Sequence, residues 1–247
     1  MSSIHFRCSR LCGWVLLVSL VFYGPVLQAK VSESFQVEAN PADPWQGVNR
    51  RIFDFNAGVD RFTVKPAAKA YETVVPGLLR QGVGNFFDNL ANPLTGTNNF
   101  LQAKFKQGAQ DFLRFGVNLT LGLLGCFDVA SRLDIPQHDE DFGQTLGYWG
   151  VPSGPYVMLP FFGPSTVRDA LVIPLDRYFS VSRYIDHVPT RNTGMGLSLM
   201  DTRVELLEYE ALIVGDAYVF VRDAYLQRRE FAVKDGQVED PFLDDDW

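Results

Sequence analysis

The chain has 247 residues, 47% of them hydrophobic and 13% aromatic, and carries a formal net charge of −7. This length suits one domain or at most two, and the hydrophobic content excludes an intrinsically disordered chain. The acidic balance argues against nucleic acid as a partner, because phosphates require a basic face, and against charge-driven docking on anionic headgroups. Contact with a membrane would therefore depend on apolar surface.

The first 29 residues are typical of a secretory signal peptide. Arg7 and Arg10 lie in a stretch without acidic residues and precede an almost wholly apolar run over 14–27. This run is too short to cross a bilayer as a helix, for which about 20 residues are needed. We therefore predict export with removal of 1–29, and an uncleaved anchor is the alternative.

Two rows of side chains follow a leader over 30–42. A helix of about 20 residues is predicted from Asp43-Pro44, where the aspartate would cap free amides. Its rows repeat at spacings of three and four residues. The apolar row consists of Trp45, Val48, Ile52, Phe55, Val59 and Phe62, and the mixed row of Asn49, Phe53, Asn56 and Asp60. Spacing leaves two interpretations open: a core face beside a solvated face, or an apolar face beside a polar face that lines a passage.

Further helices are predicted along the chain, separated by proline, glycine and polar segments. Lys65-Pro66 is expected to restart a helix, and Asn92-Pro93 and Pro174 are each expected to end one. The predicted spans are about 65–71, 77–90, 104–119, 142–149, 166–173, 196–213 and 216–232. Residues 134–141 are predicted to form a polar loop and 237–247 an acidic tail.

Residues 150–164, GVPSGPYVMLPFFGP, contain four prolines and three glycines around an apolar centre. This composition forbids a helix and restricts any strand to an edge hairpin. An apolar surface loop marks a binding or membrane-contacting site, whereas a loop tucked into the core is the alternative. The candidate residues of this loop are Gly154, Pro155, Tyr156, Met158, Leu159, Pro160, Phe161 and Phe162.

Catalytic, metal and cofactor motifs are missing from the sequence beyond the signal segment. His138 and His187 are the histidines there, and the run from His138 to Asp141 is typical of a solvated acidic turn. Ser153 lacks the glycine spacing of a nucleophile elbow, and no phosphate-cradling glycine loop occurs. Cys126 lies in an apolar run and is expected to be a buried small hydrophobe. We predict no enzymatic activity, no metal and no cofactor.

Four stretches of the sequence resemble the MlaA (VacJ) family of outer-membrane lipid-asymmetry proteins. They are DPWQGVNRRIFDFNAGVDRF at 43–62, NFFDNLANP at 85–93, FGQTLGYWGVPSGPYVMLPFFGPSTVRDA at 142–170 and DAYVFVRDAYLQRREF at 216–231. Long blocks in this order are far more specific than one short motif. The resemblance extends over 43–236.

The resemblance implies an all-α fold, a single-domain helical ring around a central polar channel, with one apolar proline-rich hairpin loop that controls it. The ring would lie in the inner leaflet of the outer membrane, on the periplasmic side. Phospholipids would leave the outer leaflet through the channel and pass to a periplasmic lipid-carrier protein, and a trimeric porin is the implied membrane partner. The alternatives are a periplasmic adaptor that passes no lipid and a lipid hydrolase.

The implied ring assigns roles to the two rows of the first helix. Residues expected to face the membrane are Trp45, Val48, Ile52, Val59 and Phe62. Residues expected to line the lipid pathway are Asn49, Phe53, Phe55, Asn56, Asp60 and Arg168. Arg168 would either meet a lipid phosphate or pair with an acid such as Asp169. Many family members carry an acylated cysteine after the signal, but here Gln28-Ala29-Lys30 stand at that place, so a non-acylated chain is predicted.

Overall fold

Helices dominate the structure, a computed structural model that describes residues 40–210 and 213–237, with only the backbone of Ser182. The α-helices are α1 Gln46–Val59, α2 Lys65–Val74, α3 Gly77–Leu101, α4 Phe105–Thr120, α5 Val129–Arg132, α6 Phe142–Tyr148, α7 Val167–Phe179, α8 Val188–Tyr209 and α9 Ala217–Val233. The predicted helical class is confirmed. Several predicted segments lie outside the described residues. They are the signal peptide, nearly all of the leader, the expected acylation position and all but the first residue of the acidic tail.

A π-helical turn, Asp60–Val64, joins α1 to α2 without a break. α2 begins at Lys65 as predicted, but the expected interruption before it is wrong, because the helical backbone is continuous there. Pro66 lies in the first turn of α2, and the preceding turn accommodates its missing N–H. Arg203 of α8 donates hydrogen bonds of 2.7 and 2.8 Å to the two carboxylate oxygens of Asp60, so the turn is anchored to α8.

α3 continues through Pro93, so the predicted break at Asn92-Pro93 is wrong. Its second half packs closely on α4, because Gly96 and Gly108 lack side chains where the helices meet. A Cβ added to Gly96 would lie 2.8 Å from the Phe112 ring, and one on Gly108 would lie 2.6 Å from the Phe100 ring. We attribute the continuous helix to this packing, which offsets a local proline cost of about 3 kcal/mol.

The starts and ends of α7 and α8 also differ from the prediction. α7 runs through Pro174 instead of ending there, and its first turn is capped by the side chain of Thr166. α8 begins well before the predicted residue 196, because His187 caps its first turn and Pro189 occupies a first-turn position. Capping residues at the helix starts therefore determine these boundaries, rather than the prolines and glycines from which the boundaries were predicted.

The segment 134–141 is only partly a solvated turn. Asp139 is exposed, but Glu140 is buried and accepts a hydrogen bond of 2.9 Å from Lys104. His138 Nδ1 lies 2.8 Å from a carboxylate oxygen of the buried Asp111. Charged groups are buried when partners satisfy them, and here α4 and the residue before it provide those partners.

Two short strands, β1 Tyr156–Leu159 and β2 Gly163–Thr166, form the antiparallel hairpin expected within 150–164. The register pairs Tyr156 with Thr166 and Leu159 with Gly163. Positive φ angles of 65° at Phe161 and 80° at Gly163 close the turn between them. The hairpin leads directly into α7.

Among the described residues the interior is unusually polar. Twenty buried side chains are polar or charged, whereas the buried hydrophobic ones are six: Ala68, Ala130, Tyr156, Met158, Val204 and Tyr218. Large hydrophobic side chains lie on the surface instead, including Phe62 at 76% and Leu171 at 75% exposure. Water-soluble domains bury most such side chains, so this distribution indicates apolar surroundings for part of the surface. Within these ranges no helix combines the length and hydropathy that a membrane crossing requires.

Candidate functional site

Asn49 attaches the hairpin to α1. Its side-chain nitrogen donates to the Tyr156 carbonyl at 3.1 Å, and its side-chain oxygen accepts from the Met158 N–H at 2.9 Å. The same nitrogen donates to the buried carboxylate of Asp43 at 2.8 Å. One amide side chain therefore takes the place of a neighbouring strand for β1, whose backbone groups would otherwise be buried without partners.

Asn56 repeats this arrangement two helical turns further along α1. Its side-chain nitrogen donates to the Leu159 carbonyl at 2.9 Å, and its oxygen accepts from the Phe161 N–H at 2.8 Å. Residues seven apart lie on the same face of a helix, so Asn49 and Asn56 contact successive parts of β1 and the turn. We call these two residues the amide clamp.

The inner face of the hairpin belongs to the small hydrophobic core. Tyr156 and Met158 are buried together with Tyr218 of α9, and Ile52 and Phe53 pack against this group. The Phe53 and Tyr218 rings meet edge to face at 5.7 Å between centroids. Part of the loop is thus tucked into the core, as one of the two interpretations of this segment predicted.

The hairpin tip has the opposite character. Phe161 is 73% exposed and Phe162 is 53% exposed. The Phe161 ring lies 5.2 Å from the Phe55 ring of α1, and the Arg177 guanidinium lies 4.4 Å over the Phe162 ring. The exposed apolar side chains predicted for this segment therefore lie at the tip and, with Val151 at 41% exposure, at its start.

Asp43 connects α1, the hairpin and α9. It does not cap α1, which begins only at Gln46, because its carboxylate accepts hydrogen bonds from Asn49, from the Tyr218 hydroxyl and, at 3.4 Å, from Arg222. Burial and the hydrogen bond to Asp43 raise the pKa of Tyr218 above its usual value. This buried network fixes the position of α9 beside the hairpin.

A second polar network lies where β2 enters α7. Arg168 is buried, and its guanidinium donates to Asp169 at 2.9 Å and to the Val151 carbonyl at 3.1 Å, so the pairing with Asp169 is observed. Arg229 and the Tyr225 hydroxyl also donate to Asp169, at 3.0 and 3.1 Å. Burial opposes ionisation of Asp169, but the arginine hydrogen bonds outweigh it and lower the pKa of that carboxyl.

The polar row of α9 was not among the predicted site residues. Tyr218, Arg222, Tyr225 and Arg229 follow one another at spacings of four, three and four residues, and all four bind the Asp43 or Asp169 network. Two tyrosines and two arginines at helical spacing are the signal that could have found them. The row attaches Asp43 and the start of α7, directly after the hairpin, to α9, while the clamp attaches the first strand of the hairpin to α1.

The structure places the predicted site residues as follows. On the predicted lipid-pathway row, Asn49 and Asn56 form the clamp, Phe53 packs on Tyr218, and Asp60 pairs with Arg203. On the predicted membrane face, Trp45, Val48 and Phe62 are exposed, Val59 is half-buried, and Ile52 packs on the core. Contact of either row with lipid stays a prediction.

Over 40–210 and 213–237, no three His, Cys, Asp or Glu side chains are grouped to hold a metal ion.

Asp176 of α7 gives this region a pH dependence. Its carboxylate accepts a hydrogen bond from the Phe142 N–H at 3.1 Å, and burial, with the charge of Asp141, raises its pKa to about 6. Because the pKa in the unfolded chain is near 3.9, the folded state binds this proton more tightly. The stabilisation from the protonated carboxyl is complete below about pH 4 and is lost as the pH rises through 6.

We expect Asp176→Asn to remove this fall in stability, which should amount to about 1–2 kcal/mol after solvent screening. The asparagine oxygen can still accept from the Phe142 N–H, so the variant changes charge with little change in shape. Urea unfolding at pH 4.5 and pH 7 would measure the difference, with exposed Asp186→Asn as the control. An unchanged pH dependence in Asp176→Asn would contradict this assignment.

The family model described as MlaA lipoprotein matches residues 41–232, which include the amide clamp, the hairpin and the α9 row. The chain belongs to the MlaA family. The family membership predicted from the four sequence blocks is thus confirmed, and the segment matched begins just before Asp43 and ends within α9.

Relatives in the MlaA family carry names from lipid transport. "Intermembrane phospholipid transport system lipoprotein MlaA" of Escherichia coli strain K12 is 36% identical over 230 residues, 91% of each chain. The Haemophilus influenzae protein of the same name is 30% identical over 206 residues, 79% of this chain and 81% of its own. These names describe components of a transport system rather than enzymes.

A solved structure described as "Structural basis for maintenance of bacterial outer membrane lipid asymmetry" resembles the MlaA-family fold reported above. It has a TM-score of 0.69 and 36% sequence identity, and it covers 77% of this chain and 98% of its own. The helical architecture is therefore shared with that protein.

Proposed function

We propose that this chain is a phospholipid transport component at the periplasmic side of the outer membrane. It removes mislocalised phospholipids from the outer leaflet and so maintains lipid asymmetry. The observation that carries the proposal is the distribution of side chains, with a mostly polar interior and many large hydrophobic side chains exposed on the surface. Apolar surface suits acyl chains, and buried polar groups suit a headgroup that has left water. The names of the E. coli and H. influenzae relatives support the same role.

In this proposal the helices form a ring in the inner leaflet around a central polar channel, and the hairpin controls passage. Two features support this role for the hairpin. Its first strand is attached by polar contacts to α1, the start of α7 directly after it is attached to α9, and its tip presents exposed Phe161 and Phe162. A segment held at one end and apolar at the other suits a gate at the boundary between protein and lipid.

Transported lipid passes to a periplasmic lipid-carrier protein, and a trimeric porin is the membrane partner. The exposed aromatic side chains, such as Phe105, Trp149 and Tyr184, support apolar contacts of this kind. A passive channel supplies no direction of its own, so net flow depends on tighter lipid binding by the carrier.

The proposal is tested in a strain that lacks the gene and has no second copy. We expect outer-leaflet phospholipid, labelled with a headgroup reagent that cannot cross the outer membrane, to rise clearly above the parent strain. The wild-type gene should restore the parent level. An unchanged label in the deletion strain would overturn the proposal and favour an adaptor that passes no lipid.

A further inference from the structure

A large cavity lies away from the hairpin, between α2, α3, the first half of α8 and the turn that follows α4. Its volume is about 970 Å³. This is near the upper end of the range in which proteins enclose small organic ligands, about 300–1,000 Å³. Apolar side chains that line it include Val75, Leu79, Val83, Phe86, Phe87 and Leu197.

The lining contains no charged side chain. Its polar members are the hydroxyl groups of Tyr71, Thr190 and Thr193 and the thiol of Cys126. Apolar cavities give water too few hydrogen-bond partners and accept apolar guests instead. The chemistry of the lining therefore selects a hydrocarbon chain and excludes a headgroup.

One side of the cavity opens onto apolar surface. Leu78 and Leu79 line the cavity and are 71% and 61% exposed, and Phe127 is 45% exposed. A hydrocarbon chain can therefore enter from apolar surroundings without passing a polar side chain at this rim.

The other side of the cavity has a polar boundary. The Tyr71 hydroxyl lies 3.5 Å from Asp201, and Asp201 lines a separate small cavity together with Arg80, Asp88 and Glu205. Arg80 Nε is buried and has no hydrogen-bond partner among the described residues. A molecule in the apolar cavity thus has ionisable groups just beyond Tyr71, where the carboxylates suit an ammonium group and Arg80 suits a phosphate.

We propose that this cavity is a binding site for an acyl chain of a phospholipid, with the headgroup outside it on the Tyr71 side. This inference rests on the proposed transport function and adds a holding site at a distance from the hairpin. The uncharged lining, the volume and the apolar rim fit an acyl chain. A phospholipid held by one acyl chain in the cavity would keep its orientation while its headgroup leaves the protein.

Photocrosslinking tests the site directly. Full-length protein in nanodiscs is irradiated with phosphatidylethanolamine that carries a diazirine in one acyl chain, and the adducts are located by mass spectrometry. We expect adducts concentrated in 71–87, 126–127 and 189–197. Gly194→Leu should reduce them roughly tenfold, because its side chain would displace two methylene groups or more.

The matched control is Gly196→Leu, on the same helix. A Cβ on Gly194 would make an ordinary 3.6 Å contact with Phe87 in the cavity, whereas a Cβ on Gly196 meets nothing within 4 Å. Gly196→Leu should crosslink as the wild type does. Equal melting temperatures would show that both variants fold.

Cys126 gives an independent readout, in a chain with Cys8→Ser and Cys12→Ser. Phosphatidylethanolamine should slow its reaction with a small maleimide, and glycerophosphoethanolamine, which lacks acyl chains, should not. Adducts scattered over the surface and unaffected by Gly194→Leu would overturn the acyl-chain site but not the transport proposal. If the wild-type protein gives these adducts but its gene does not restore lipid asymmetry in the deletion strain, the transport proposal alone would be overturned.

Discussion

Replacing both Asn49 and Asn56 by leucine should release the hairpin from α1 while leaving the helices folded. Each amide supplies one donor and one acceptor to the hairpin backbone, and leucine of similar size supplies neither. Buried backbone groups left unpaired cost about 1–3 kcal/mol each. The hairpin is therefore expected to detach more often than the helices unfold.

Chymotrypsin measures this release, because Phe161 and Phe162 at the tip are its preferred kind of site. We expect cleavage there to be faster by roughly tenfold or more, since the double variant leaves four backbone groups unpaired and the loss of even two would exceed about 1.4 kcal/mol. In cells the double variant should raise outer-leaflet phospholipid as the gene deletion does, because the hairpin no longer controls passage.

Asn85→Leu is the matched control for the clamp. Asn85 also donates from its side chain to a backbone carbonyl, that of Cys126 at 3.1 Å, but this contact is remote from the hairpin. Its loss should lower overall stability without faster cleavage at the tip. Wild-type cleavage in the double variant would show that the core contacts of Tyr156 and Met158 hold the hairpin without the clamp.

The largest loss of stability is expected from Arg114→Met. Arg114 is buried, and its Nη2 donates to both carboxylate oxygens of Asp128 at 3.0 and 3.1 Å, while its Nη1 donates to Ser131 and to the Ile135 carbonyl. Methionine fills similar volume but satisfies none of these acceptors. Removing one partner of a fully buried pair costs about 3–5 kcal/mol, and because Asp128 is partly exposed we expect the lower end of this range.

Urea unfolding measures the free energy of unfolding of Arg114→Met. Arg132→Met is the control: Arg132 is exposed at the end of α5, so its change should stay within about 0.5 kcal/mol. Similar values for the two variants would mean that Asp128, which is partly exposed, gains enough water to replace the arginine.

The two rows of α1 show what helical periodicity can predict. Spacing placed Asn49 and Asn56 on one face and Val48 and Phe62 on another, and the structure has both faces. Spacing could not identify the partner of the first face, because the hairpin lies more than a hundred residues later in the chain. An asparagine on a helix can face solvent, a lipid headgroup or the backbone of another segment, and the sequence pattern does not distinguish these three environments.

Proline positions show the limit of local rules. Pro93 and Pro174 were expected to end helices, and both lie inside one. The free-energy cost of a proline inside a helix is local and can be read from the sequence. The stabilisation from the close packing of Gly96 and Gly108 depends on two helices meeting at residues without side chains, which the sequence does not reveal. The expected hairpin was found because glycine and proline left no other regular structure for 150–164.

The clamp also makes the length of α1 part of the site. Each residue turns a helix by about 100°, so removing one or two residues between Asn49 and Asn56 would rotate one amide away from β1. Both amides would stay on the same side only if an insertion added close to a whole number of helical turns, such as about four or seven residues. A short deletion in α1 would therefore act on the hairpin even where every remaining side chain is unchanged.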